Sequence, residues 1–398
     1  MILDRVEAIT SREFPNVLFV RVWADGVSGL GDTFFSSEAA APIVGEHAAR
    51  LAGVDLDWSD RLDDLLGLPP SGTVLERRAA SAINIALADL TAKRDGVPLH
   101  RLLGSGPVRT LPIYNTCAGP SYLKDGPDVE SGNWGRRGDG AGPDDLEAFL
   151  TDPVGLARSL LDDGVSAMKI WPFDPYAEAS NGQWITAEQL DEGMRPFRLV
   201  REALGDEMGL LAELHGLWSL PMAERISTAL LEVEPRWIED PIRPDNVLAW
   251  VRLRDSVGAT FAGGETLGGE RDVRDFLSAG AATTTIIDVG WVGGLRVAAD
   301  LAAFAREHDR AMAFHNCGGP ASFATSVALA SSFDNVRVQE TIRGFERGWF
   351  GRLATDWPRA SDGAVSPLDR PGHGVELRDE FVESPSTEVR TWTRGDAR

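Results

Sequence analysis

The segments GLLAELHG (209–216), RWIEDPI (236–242) and ATFAGGET (259–266) decide the fold. Each is a short apolar run that ends in an acid, and the three acids, Glu213, Glu239 and Glu265, stand 26 residues apart. A carboxylate at the end of a buried strand is unfavourable unless its charge is compensated. One strand–helix–strand period repeated twice puts the three on neighbouring strands, where a single divalent cation with oxygen ligands would serve them all.

Outward from these segments the same texture continues. LPIYNT (111–116), SAMKIWP (166–172), TTTIIDVG (283–290), RAMAFHN (310–316) and VRVQETI (336–342) complete a set of eight candidate strands. Helical stretches lie between them: PVGLARSLLDDG, LPMAERISTALLEV, VRDFLSAG and GLRVAADLAAFAREHD. Alternating strand and helix predicts a (β/α)8 barrel, with an open doubly wound sheet as competitor. Eight units favour closure, and neither Gly263-Gly264 nor Gly293-Gly294 makes a dinucleotide-binding fingerprint.

The N-terminal part reads differently. VEAITSREF and NVLFVRVWADG alternate as strands across Pro15-Asn16, and GVSGLGDTFFSS is glycine-rich with a Phe34-Phe35 pair expected to be exposed. Small and apolar residues from Leu75 to Arg94 have helical spacing, closed by Gly96 and Pro98. The expectation is an α+β capping domain (1–108), a barrel (109–350) and a C-terminal segment (351–398) that returns to complete the cap. Two insertions, 119–145 and 173–185, are expected as loops at the barrel mouth.

Bulk composition narrows the function. The 398 residues carry a formal charge of −22, which argues against nucleic acid and anionic membrane as partners. It does not argue against a small anionic substrate, because a bound cation and a few lysines reverse the field locally. No apolar run is long enough to cross a bilayer, and the N-terminus lacks a signal-peptide core. The two cysteines, Cys117 and Cys317, do not make a disulfide framework; both read as small buried residues. A cytoplasmic protein is expected.

Period-two logic sets further polar residues around the same mouth: Lys169, His215, Asp288, His315 and Glu340. One strand-end histidine is ordinarily structural. Eight such residues at one end of seven consecutive strands point to chemistry. A cation held by three carboxylates can take a substrate carboxylate and stabilise the charge that builds when its α-proton leaves. Lys169 and His315 are the candidate bases, from opposite sides, with Asp288 orienting His315. His215 is placed to protonate a leaving β-hydroxyl. A protonated Glu340 would donate a hydrogen bond to the substrate carboxylate.

The motifs AELHG, IEDP, GGET, IIDVGWVGG, FHNCGGP and QET together resemble the enolase superfamily, in its mandelate racemase-like branch, over nearly the whole chain. That resemblance implies Mg²⁺ at Glu213, Glu239 and Glu265, His315 with Asp288 as general base, Glu340 as carboxylate partner and a multimeric enzyme. It also implies that the cap, here GVSGLGDTFF, covers the distal part of the substrate. Racemases and muconate-lactonising relatives carry Lys-x-Lys on strand two, whereas this chain has Lys169-Ile170-Trp171. A histidine two residues after the first ligand, followed by glycine, is similar to the galactonate- and mannonate-type acid-sugar dehydratases, where it acts as the acid. Many of those have aspartate where this chain has Glu213. The reading is an acid-sugar dehydratase acting on an aldonate or aldarate. The alternative is an epimerase, racemase or cycloisomerase using Lys169 and His315, and a non-catalytic binding barrel is disfavoured by the intact set.

Overall fold

The computed structural model describes residues 1–35, 37–72, 75–119 and 144–393. Residues 120–143, most of the first expected insertion, lie outside that range. Among the described residues no helix is long and apolar enough to cross a membrane.

The N-terminal sheet holds β1 (Arg5–Ser11), β2 (Val17–Ala24) and β3 (Val27–Phe34), all antiparallel. Asp25 and Gly26 turn β2 into β3 with φ of 52° and 79°, the paired left-handed conformation that suits a two-residue hairpin. The glycine-rich segment is thus a strand. Its glycines are there for packing: a Cβ on Gly29 would stand 2.0 Å from the Ala86 carbonyl, and one on Gly31 2.1 Å from that of Ala82. β3 therefore lies directly on the backbone of the helix Leu75–Asp95, which covers the sheet. Phe34 is buried and stacks edge-on against half-buried Phe35 at 4.5 Å, which corrects the expected exposed pair.

Eight parallel strands follow: β4 (Leu111–Thr116), β5 (Ala167–Ile170), β6 (Gly209–Glu213), β7 (Trp237–Glu239), β8 (Phe261–Gly263), β9 (Thr284–Ile287), β10 (Ala311–Phe314) and β11 (Gln339–Thr341). Their order is β10-β9-β8-β7-β6-β5-β4-β11. Met312 bridges Val336 just before β11, which brings the two ends of the sheet together as a nearly closed barrel. Short β12 (Ala364–Val365) pairs with β4, and β13 (Thr387–Thr393) pairs antiparallel with β1. The C-terminal segment thus completes the cap sheet. The second expected loop contains a helix, Asp174–Ser180, seeded by Pro175 in its first turn. Trp349 and Phe350 belong to the core, and both cysteines are buried.

The barrel interior explains the position of the polar residues. Tyr114, Ala167, Leu211, Trp237, Ala262, Ile286 and Ala313 form one buried cluster with Val338 against it, one residue per strand. Two residues further along each chain, on the same face, come Thr116, Lys169, Glu213, Glu239, Asp288, His315 and Glu340. Strand β8 departs by one residue. Its glycines, Gly263 and Gly264, have φ of 154° and 112° and re-aim the chain so that Glu265 reaches the ring.

Candidate active site

Glu213 and Glu239 lie directly opposite each other in the β6–β7 register. With Glu265 they offer carboxylate oxygens within 4.8 Å of one another, all three buried. Each is held by its own surroundings. Glu213 Oε1 accepts from the backbone N–H groups of Leu214 (3.0 Å) and His215 (2.7 Å). Glu239 Oε2 accepts from the Trp237 indole at 2.7 Å. Burial, reinforced by Glu213 and Glu340, carries the Glu239 carboxyl up to about 8, and burial raises Glu265 too.

Among the described residues Lys169 is the one ammonium beside these acids. Its Nζ donates to Glu239 at 2.5 Å and lies 2.9 Å from Glu340 and 3.3 Å from Glu213. Burial disfavours its charge, but the carboxylates outweigh that and hold it well above the usual lysine range. Burial pushes Glu239 and Glu265 toward their neutral forms, so the triad lacks the positive charge that would keep all three acids ionised. That deficit, together with three hard oxygen donors, fits a divalent cation held by Glu213, Glu239 and Glu265.

Glu340 corrects an expectation. Its Oε2 accepts from the Asn316 backbone N–H at 2.7 Å, and its Oε1 accepts from the Thr116 hydroxyl as well as from Lys169. Burial pushes its carboxyl up, but Lys169, His315 and Thr116 together hold it below the usual range. Its oxygens act here as acceptors, not donors.

Two histidine–aspartate pairs stand beside the triad. His315 Nδ1 is 2.7 Å from Asp288 Oδ2, and Asp288 Oδ1 accepts from the Gly290 N–H at 2.6 Å. The pairing assigns the Nδ1 proton to the aspartate side and leaves Nε2 facing Glu265, at 3.5 Å. Burial disfavours the imidazolium, but Glu265, Asp288 and Glu340 outweigh it and raise His315 to about 10. The Trp291 ring backs His315 at 4.9 Å.

The second pair was not read from the sequence. His215 Nδ1 lies 2.7 Å from Oδ2 of Asp174, the first residue of the helix after β5, and Asp174 is fully buried. Burial again opposes the charge, and Asp174 and Glu213 outweigh it to bring His215 to about 9. His215 itself has φ +49°, so the loop departs sharply from the strand at the residue that carries the ring. Trp171 packs edge-on against His215 at 5.6 Å and against Phe149 at 5.3 Å. The aromatic at the strand-two position is a wall for the histidine. The only signal for Asp174 in the sequence was an acid directly after an apolar strand end, in WPFDP.

The cap reaches this mouth through β3. Asp32 Oδ2 accepts from the N–H groups of Ala321 (2.8 Å) and Ser322 (3.2 Å) at the start of the helix Pro320–Ser332, and Thr33 donates to the Gly290 carbonyl at 2.8 Å. These contacts fix the loops that follow β10 and β9, the strands of the His315–Asp288 pair.

A capped barrel with an acidic triad and a histidine–aspartate pair at the C-terminal ends of its strands defines a class of enzymes. The family is shown by comparison. The enolase C-terminal domain-like family matches residues 154–381, and the N-terminal domain of the mandelate racemase / muconate lactonizing enzyme family matches residues 5–104. The chain belongs to the enolase superfamily, in the mandelate racemase / muconate lactonizing enzyme family. A crystal structure of an enolase of the mandelate racemase subgroup from Agrobacterium tumefaciens superposes with a TM-score of 0.87 at 32% identity, covering 100% of both chains. A D-gluconate dehydratase from Thermoproteus tenax is 27% identical over 305 residues, which span 77% of this chain and 55% of that protein. A 3,6-anhydro-alpha-L-galactonate cycloisomerase from Streptomyces coelicolor is 28% identical over 362 residues, 89% of this chain and 86% of that one.

Proposed function

We propose that this chain is a Mg²⁺-dependent acid-sugar dehydratase that converts an aldonate or aldarate to a 2-keto-3-deoxy acid. The observation that carries the reading is the doubling of the histidine–aspartate pair, His315–Asp288 and His215–Asp174, beside the carboxylate triad. α,β-Elimination needs a base for the α-proton and an acid for the departing hydroxyl, and two oriented histidines supply both. The name of the Thermoproteus relative points the same way.

When bound, Mg²⁺ would be held by Glu213, Glu239 and Glu265, take the substrate carboxylate, stabilise the charge that builds on it and shield His315 from Glu265. His315 Nε2 accepts the α-proton while Asp288 holds Nδ1–H and stabilises the imidazolium. His215 gives its proton to the β-hydroxyl, which leaves as water. The resulting enol tautomerises to the keto acid. Lys169, held charged by Glu239, Glu340 and Glu213, supplies positive charge at the triad.

One observation favours the second reading, an epimerase or cycloisomerase. Lys169 and His315 both stand beside the triad, Lys169 at Glu239 and His315 at Glu265, so two candidate bases are present. Paired variants assayed in D₂O separate the two. His215→Asn should lose keto-acid formation by about 10²–10⁴-fold and keep α-proton exchange, and His315→Asn should lose both. Keto-acid formation that survives in His215→Asn removes that histidine as the acid.

A further inference from the structure

Between cap and barrel lies a cavity of about 560 Å³, within the range of a small-molecule site. Its wall includes His215, Asp240 and Thr266, neighbours of the three proposed metal ligands, and also Arg78 and Arg243. Arg78 comes from the helix Leu75–Asp95 of the cap, not from the β3 segment. Its guanidinium stacks over the Trp291 ring at 4.2 Å, and Nη1 donates to the Phe34 carbonyl at 2.7 Å. Neither partner is an anion. The acid that acts on Arg78 is Asp288, already engaged by His315.

The acids lining the same cavity each have a partner of their own. Asp240 accepts from the Gly264 N–H at 2.9 Å, Asp272 from the Gly72 N–H at 2.6 Å, and Asp245 lies 3.3 Å from Arg243 at the exposed rim. Arg78 is half-buried and burial lowers its pKa, so its charge gains from a matched anion. A planar fork held against an aromatic face is also pre-organised for a carboxylate or phosphate.

We propose that Arg78 forms a subsite for a second anionic group at the far end of the substrate, so that the preferred sugar acid is a dianion. This rests on the proposed function, in which the first carboxylate sits at the triad. It selects an aldarate, or an aldonate phosphorylated at its distal carbon, over a plain aldonate. The shared chemistry is an oxyanion able to take two N–H donors.

Binding and turnover are measured separately on the Mg²⁺-loaded protein. Calorimetric titration compares hexarates with hexonates of matched configuration, such as galactarate with galactonate, and with the 6-phosphohexonates; keto-acid release is followed in parallel. A charge-assisted contact in a half-buried site should give the dianion about 10–100-fold tighter binding. Arg78→Gln should erase most of that ratio, and Arg78→Lys should restore part of it. A preference for hexarate or for phosphohexonate each supports the subsite and identifies its source. Equal affinity for dianion and monoanion in the wild-type protein, or binding of none, overturns it. A dianion preference in binding without keto acid from any compound leaves the subsite standing and overturns dehydration instead.

Discussion

Replacing Lys169 with methionine keeps most of the side-chain volume and removes the ammonium shared by Glu239, Glu340 and Glu213 at 2.5, 2.9 and 3.3 Å. All three acids are at most 1% exposed, so none can turn to water. Removing one partner from a buried ion pair typically destabilises by about 3–5 kcal/mol. Here part of that is already relieved, because burial pushes the Glu239 carboxyl up toward its neutral form. The loss therefore falls on Glu213 and Glu340, and about 3 kcal/mol is expected. Urea unfolding followed by tryptophan fluorescence in EDTA measures it. A cation bound to the folded state at a hundred times its dissociation constant adds about 2.7 kcal/mol, and the vacated acidic site should bind it more tightly than the wild type does. The difference between variant and wild type should therefore shrink in Mg²⁺. A loss below about 1 kcal/mol in EDTA, or one that Mg²⁺ leaves unchanged, refutes the view that Lys169 and a cation share these carboxylates.

Asp174→Asn removes the charge behind His215 and should slow keto-acid formation about 10–100-fold, with α-proton exchange retained; an unchanged rate shows that His215 works without this partner. Asp32→Ala leaves the N–H groups of Ala321 and Ser322 buried and unsatisfied, so unfolding free energy should fall by about 2 kcal/mol or more; a fall under about 0.5 kcal/mol contradicts the latch between cap and barrel. Glu346 is raised by burial from 4.5 to about 7. A folded-state value above the unfolded one means stability is full below 4.5 and declines as pH rises toward 7, by on the order of 1 kcal/mol per pH unit. Glu346→Gln should flatten that decline in pH-dependent unfolding, and an identical slope in the variant removes Glu346 as its source.

The eight barrel strands were legible because their interior positions recur every second residue and end in a polar group. Glu213, Glu239 and Glu265 were legible from spacing, even though Glu265 reaches the ring only through the Gly263-Gly264 turn. Strand β3 was hidden by Gly29 and Gly31, which weaken strand propensity and are required by the helix pressed against them. The helix Pro320–Ser332 was also missed: it is buried almost throughout and has no polar face to set a period. Asp174 was missed because its meaning depends on the loop after β5 folding over His215, a contact between residues 41 apart. The accepting role of Glu340 depends on three donors from three different strand ends. Distances of that kind are not encoded in local pattern.

In the proposed reaction this site abstracts an α-proton and expels a β-hydroxyl. The most direct test is ¹H NMR of the Mg²⁺-loaded protein in D₂O with a panel of aldonates and aldarates. At least one acid sugar should give a 2-keto-3-deoxy acid, with turnover abolished by EDTA and by His315→Asn. Exchange of the α-proton or conversion to an isomer, with no keto acid from any member of the panel, would contradict it.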